Sequence, residues 1–107
     1  MKLHLGCGKR YIEGFTHIDV VKYDHIDFEI PVDKLDIFSN NSIDEIYASH
    51  VIEYFDRDKV KTVLEEWYRV LKPGGLLRLA VPNFNSLIKV YEKSNDLNKI
   101  LGPLYGK

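Results

Sequence analysis

The sequence predicts an α/β protein built on a mostly parallel sheet. Three observations carry that reading. Short apolar, β-branched runs recur along the chain, separated by stretches of other character. One of those stretches, between Asp56 and Lys72, repeats its apolar residues at helical spacing. The first apolar run ends abruptly in a Gly-x-Gly turn, the kind of turn that ends a strand below a ligand crevice in such sheets.

Each element follows from its residues. Leu3–Leu5 is a short apolar run that stops at Gly6-Cys7-Gly8. Lys9–Gly14 is too short for a long helix and has room for one or two helical turns. Phe15–Val21 is β-branched and apolar at alternate positions, and reads as the second strand. His25–Ile30 alternates apolar and acidic residues before Pro31, which makes it the third. Ile43–Ala48 is the fourth. In the following helix, Val60, Val63, Leu64, Trp67 and Leu71 form one apolar stripe. Asp56 or Asp58 can cap it. Lys72-Pro73-Gly74-Gly75 ends it with a base, a proline and glycines suited to a left-handed turn. Gly75–Val81, bounded by Gly-Gly and Pro82, is the strongest strand candidate. A second helix is expected to start near Asn85 or Ser86 and to run through Leu87, Ile88 and Tyr91.

A chain of 107 residues, 45% hydrophobic and 29% charged, makes one globular domain over residues 1–107. Its net charge is −1, which argues against whole-chain electrostatic binding of nucleic acid. The charge is segregated: residues 1–23 carry +2, residues 24–58 carry −8 and residues 59–107 carry +5. The acidic middle would repel phosphate backbones and suits a cationic small molecule. Cys7 is the only cysteine, so no intramolecular disulfide and no cysteine zinc cluster can form. His4, His17, His25 and His50 show no close metal-ligand spacing. No apolar signal core or membrane-length run is present, and a cytoplasmic protein without a membrane partner is expected.

The chemistry concentrates at the first two strand ends. Glycines at Gly6 and Gly8 let the backbone turn sharply and let a ligand approach without an intervening Cβ, although the same pair serves many turns for steric reasons alone. Asp19 closes the second strand, where a carboxylate can accept both hydroxyls of a ribose. The phosphate-loop pattern G-x-x-x-x-G-K-[ST] is absent. The dinucleotide fingerprint needs a third glycine where Tyr11 stands, and an acid about 20 residues on. A nucleoside without phosphates fits better, with ribose on Asp19, adenine against Val20 and the remaining tail over Gly6–Gly8. Cys7 reads as a small packing residue rather than a nucleophile.

Read together, LHLGCG (Leu3–Gly8), HIDV (His17–Val20), NNSIDEIYASHVIEYF (Asn40–Phe55) and LEEWYRVLKPGGLLRLAVPN (Leu64–Asn83) resemble the class I S-adenosylmethionine-dependent methyltransferases. The likeness is nearest to the branch called methyltransferase type 11. It implies a Rossmann-like fold, S-adenosylmethionine as cofactor and methyl transfer to a small molecule or a cell-surface precursor. It also implies that Gly6, Cys7 and Gly8 line the methionine part of the cofactor. Asp19 would hold the ribose, Val20 would pack on adenine, and Asp33, or alternatively Asp27, would meet the adenine amino group. Ala48, Ser49 and His50 would border the methyl group, with His50 as candidate base or as a packing residue.

The resemblance has gaps as well. The family domain ordinarily has seven strands, the last two forming an antiparallel hairpin, and five are read here. That implies a C-terminally truncated domain whose fifth strand offers an exposed edge for a homodimer. Glu53-Tyr54 stands where the family often has Glu-His, so a second histidine is missing. The Asn/Asp-Pro-Pro-Tyr pattern of adenine- and glutamine-directed enzymes is absent after the fourth strand. Two other readings stay open: a noncatalytic, self-associating fragment, and a nicotinamide dinucleotide binder.

Overall fold

The computed structural model of the chain describes residues 1–80 and 88–93. They form one five-stranded sheet with strand order β2-β1-β3-β4-β5. The strands are β1 (Lys2–Leu5), β2 (Thr16–Ile18), β3 (Ile43–Ser49), β4 (Leu71–Ala80) and β5 (Ile88–Glu92). The first four pair in parallel and β5 pairs antiparallel to β4. A helix, α1 (Arg57–Val70), joins β3 to β4 after a short 3-10 turn at Ile52–Tyr54.

Register sorts the side chains into two faces, because partners across a sheet point the same way. Leu5, Ile18, Ala48 and Leu79 lie in one row, and Leu3, Ile46 and Leu77 in another. All are buried and join one core with Val60, Val63, Leu64, Trp67 and Val70 of α1. The intervening row is His17, His4, Tyr47 and Arg78, running across four strands on the opposite face. Its rings touch in sequence: His17 and His4 lie 5.3 Å apart by centroid and His4 and Tyr47 5.1 Å, and the Arg78 guanidinium sits 5.7 Å from the Tyr47 ring. One face of the sheet is therefore aliphatic and the other polar and aromatic.

The helix forms as expected on its apolar stripe, and Asp56 is the residue that caps it, accepting the Lys59 N–H at 2.9 Å. Its end differs. Leu71 is already extended and opens β4, so Lys72–Gly75 lies inside the strand rather than in a loop. The pairing with β3 jumps from Ile43↔Leu71 to Glu45↔Leu76, and Gly74 takes φ +83° within that irregularity. The left-handed glycine was legible, but it serves a bulge and not a helix cap.

Four other expectations are corrected. The third strand, His25–Ile30, reduces to a single parallel bridge between Ile18 and Phe28; Asp27 spends its carboxylate on the His17 N–H instead of standing in a ladder. Lys9–Gly14 forms hydrogen-bonded turns and no helix: Arg10 N–H reaches Cys7 O, Phe15 N–H reaches Ile12 O, and Ile12 N–H is taken by His17 Nε2 at 2.9 Å. The helix expected through Ile88 and Tyr91 is β5, since pairing along Leu76–Ala80 satisfies its backbone; its proposed start at Asn85 or Ser86 lies outside the described residues. That same pairing covers the edge of β4, so the exposed edge on which the homodimer expectation rested is occupied within the chain.

Candidate ligand site at the strand ends

The site is built by the loops that leave β1, β2 and β3. Gly6 turns the chain with φ +60°, its N–H bonded to Ile18 O at 2.8 Å. A Cβ there would sit 2.8 Å from Val51 Cγ2, so the glycine is required both by conformation and by space. Gly8 follows with φ +58°, and its N–H points at Asp19 Oδ2, 2.8 Å away. The other carboxylate oxygen of Asp19 accepts the Val21 N–H at 3.0 Å. Two backbone amides thus orient this carboxylate, each using one lone pair on its oxygen. One acceptor position remains on each oxygen, the number a vicinal diol needs.

Asp19 opens onto a cavity of about 430 Å³ lined also by Gly6, Val20, Pro31, Val32, Asp33, His50, Val51, Tyr54 and Phe55. Its walls are mainly apolar, with Asp19 and Asp33 as the acids. Val20, 58% exposed, presents an apolar side chain to the cavity next to Asp19. Asp33 is mostly buried and pairs through one oxygen with Lys59 at 3.2 Å, leaving the other for a donor. Trp67, fully buried in the core, donates its indole N–H to Val32 O at 2.9 Å and so ties this wall to α1.

A second cavity, about 230 Å³, is lined by His4, Gly6, Cys7, Arg10, Ser49 and His50. Gly6 and His50 belong to both walls, so the two cavities adjoin there. His50 is exposed and adopts φ +58°, with its N–H held by Ala80 O at 2.7 Å. Burial, reinforced by the charge of Asp19, pushes the Cys7 thiol up to about 11. It stays protonated at neutral pH and is a wall rather than a nucleophile.

Of the residues expected from the sequence, Gly6, Asp19, Val20, Asp33 and His50 meet around the larger cavity, and Cys7, Ser49 and His50 around the smaller. Gly8 lines neither but orients Asp19. Ala48 is buried in the core and reaches neither cavity, because its row faces α1. Asp27 lies off both walls, turned to His17. Sequence reasoning missed the apolar wall of Pro31, Val32, Val51 and Phe55, and the placing of Arg10 and His4 on the wall of the smaller cavity. Arg10 stands two residues after Gly8, which was the available signal. No group of three potential metal ligands that could hold an ion occurs among the described residues. No helix among them is long and apolar enough to cross a membrane.

Comparison with known proteins adds to this geometry. The family model described as a methyltransferase domain matches residues 3–79. No curated protein matches the chain significantly. Among solved structures, the 1,6-didemethyltoxoflavin-N1-methyltransferase of Burkholderia thailandensis, with bound S-adenosylhomocysteine, aligns with a TM-score of 0.64 and 17% identity over 95% of this chain and 58% of its own. The N-methyltransferase NodS of Bradyrhizobium japonicum, in complex with the same molecule, gives 0.57 and 20% over 74% and 50%. The [4+2]-cyclase SpnF gives 0.59 and 22% over 75% and 38%. The chain therefore spans from 38% to 58% of the length of these structures. At these identities the likeness concerns the fold, and a cyclase among the neighbours illustrates that the fold does not choose the reaction.

Proposed function

The chain belongs to the methyltransferase domain family, and from that premise we propose that it binds S-adenosylmethionine and serves methyl transfer to a small-molecule or cell-surface-precursor acceptor in the cytoplasm. The observation that carries the reading is the Asp19 carboxylate, oriented by Gly8 and Val21 amides at the mouth of a cavity of nucleoside size. Asp19 would take the two ribose hydroxyls. Val20 would lie against the adenine, and the free oxygen of Asp33 would accept its amino group. Gly6 fits the rest of the group, since it lines both cavities and puts no Cβ on the wall they share.

When bound, this cofactor supplies an electrophilic methyl group on a sulfonium, whose transfer leaves S-adenosylhomocysteine. The residues here have to align an acceptor with that methyl and keep water from competing. Val32, Val51 and Phe55 supply the dry side of the cavity. His50, on both walls, is the group in position to receive the proton an acceptor hydroxyl or amine gives up.

A thermal melt with and without S-adenosylhomocysteine tests the reading. Ligand at about 100 times its dissociation constant adds roughly 2.7 kcal/mol, a rise on the order of ten degrees for a domain of this size. A cooperative melt without a shift would reject the cofactor site. It would favour the noncatalytic-fragment reading, which draws on the chain's spanning about half the length of its structural neighbours.

A further inference from the structure

The loop between β1 and β2, Lys9–Gly14, is exposed at every residue except Ile12. The Ile12 N–H is taken by Nε2 of His17, on β2, at 2.9 Å. The Tyr11 ring stacks on the same imidazole, with 4.9 Å between centroids and 20° between planes. His17 therefore fastens the loop twice, by a hydrogen bond and by ring contact.

The direction of that hydrogen bond fixes the proton. Nε2 accepts, so the neutral ring carries its proton on Nδ1. Nδ1 faces Asp27 Oδ2 at 3.7 Å, and the same oxygen accepts the His17 backbone N–H at 2.7 Å. A second proton can enter only at Nε2. It turns the acceptor into a donor, sets it against the Ile12 N–H and leaves that amide without its partner. The imidazolium so formed has the half-exposed Asp27 carboxylate on its other side. Protonation thus breaks the contact to the loop and strengthens the one to the segment after β2.

The groups around His17 decide when this happens. His4 of β1 and His25 each lie 5.3 Å away by ring centroid. His25 opposes charge on His17, and Asp27 favours it. The loop brings Lys9, Arg10 and Glu13, all exposed, and the charge of Arg10 bears on His4. Burial is the first cause that holds His17 below the ordinary histidine value of 6.5. The closed form is therefore the stable one at neutral pH, and acid favours release.

We propose that His17 is a proton-operated latch on the loop Lys9–Gly14: the neutral ring holds the loop through Ile12, and the protonated ring bonds to Asp27 and lets it go. The consequence is access. Arg10 lies both on that loop and on the wall of the smaller cavity, so release takes part of that wall away. The latch does not depend on which ligand the site takes.

Amide hydrogen exchange by NMR, together with the imidazole nitrogen shifts of His17, tests this on the ligand-free chain. At neutral pH the ring should show its single proton on Nδ1. Corrected for intrinsic exchange, protection of the Ile12 amide should fall at least about tenfold between about pH 7.5 and 5 as His17 takes up its second proton. This opening should be insensitive to low urea, as a local one is, whereas the amides of Ile46 and Ala48 in β3 report global unfolding and respond steeply. His17→Gln keeps an acceptor that cannot gain a proton, and should make Ile12 protection independent of pH in this window. Asp27→Asn keeps the acceptor for the His17 N–H, removes the countercharge and should move the acid response to lower pH. Asp27 is half exposed, so that variant carries the test if His17→Gln does not fold. Three results would overturn the proposal: a proton on Nε2 at neutral pH, an Ile12 amide that exchanges only together with Ile46 and Ala48, or an acid response that neither substitution moves.

Discussion

Asp19 Oδ2 lies 2.8 Å from the backbone nitrogen of Gly8, eleven residues earlier in the chain. The bond links the turn after β1 to the turn after β2, and it fixes the carboxylate before any ligand arrives. Asp19→Ala removes the acceptor and leaves the part-buried Gly8 amide unpaired. A stability loss of about 1–3 kcal/mol is expected, together with complete loss of the thermal shift caused by S-adenosylhomocysteine. Asp19→Asn separates the two effects. It keeps one acceptor oxygen, so it should lose less stability while still weakening the ligand at least tenfold. Urea unfolding and calorimetry on both variants check this; unchanged affinity in Asp19→Asn would remove the diol-binding role.

The glycines should differ in a definite order. Gly6 and Gly8 both have positive φ, but a Cβ on Gly6 meets Val51 at 2.8 Å and a Cβ on Gly8 meets nothing within 4 Å. Gly8→Ala carries only the left-handed conformational cost, about 1–2 kcal/mol. Gly6→Ala adds a clash that must displace Val51, a shared wall of the core and the larger cavity. Its loss should exceed that of Gly8→Ala by roughly 1 kcal/mol or more, and ligand affinity should fall with it. Equal losses in chemical denaturation would mean the loop relaxes freely.

What was legible in the sequence was mostly local. Gly6, Gly8 and Asp19 sit at strand ends whose turns their own residue types demand, so motif and structure agree. The α1 stripe was legible because Val60, Val63, Leu64 and Trp67 repeat at the helical period. Non-local pairing was not. Ile88–Glu92 carries no strict alternation, and only the register with Leu76–Ala80 makes it a strand. The row of His17, His4, Tyr47 and Arg78 joins four strands, and no spacing within one segment announces it. Arg10 escaped for the same reason, since its cavity partners Ser49 and His50 come from β3 and the loop after it.

The two buried histidines of that row, His4 and His17, make stability depend on pH. His4 titrates near 6.5 in the unfolded chain and near 4 in the native protein, and burial lowers His17 in the same direction. Between those values the unfolded chain binds a proton that the native protein refuses. The stabilisation is therefore full above about pH 6.5 and is lost as pH falls toward 4. His4 alone accounts for a loss of about 2 kcal/mol by pH 5. Glu66, whose carboxyl is lowered by its Arg69 hydrogen bonds, loses its contribution only below its ordinary value, so pH 5–7 isolates the histidines. Denaturation midpoints across that window should fall with acid in the wild type and fall less in His4→Phe. A flat profile in the wild type would show that the ring row admits protons freely.

Helix α1 holds the long loop before β3 at two points, and the two should separate stability from binding. Arg69 donates to both oxygens of Glu66, to the carbonyls of Leu35 and Phe38 and to Asn40 Oδ1, all between 2.9 and 3.1 Å. Glu66 in turn accepts the Leu35 N–H at 2.8 Å. This clamp lies away from the walls of both cavities. Arg69→Met should lower stability by about 2–4 kcal/mol through unpaired carbonyls and a lone part-buried carboxylate, and ligand affinity should stay within about twofold. Trp67 instead donates to Val32 O at 2.9 Å, on the cavity wall itself. Trp67→Phe removes that tie and part of the core's volume, at a cost of about 1–3 kcal/mol. It also frees Val32 and Asp33 to move, so affinity for S-adenosylhomocysteine should drop several-fold. Measuring both quantities for both variants decides the matter. If affinity falls as far in Arg69→Met as in Trp67→Phe, the whole loop moves as one body and the Trp67–Val32 bond has no separate role in shaping the site.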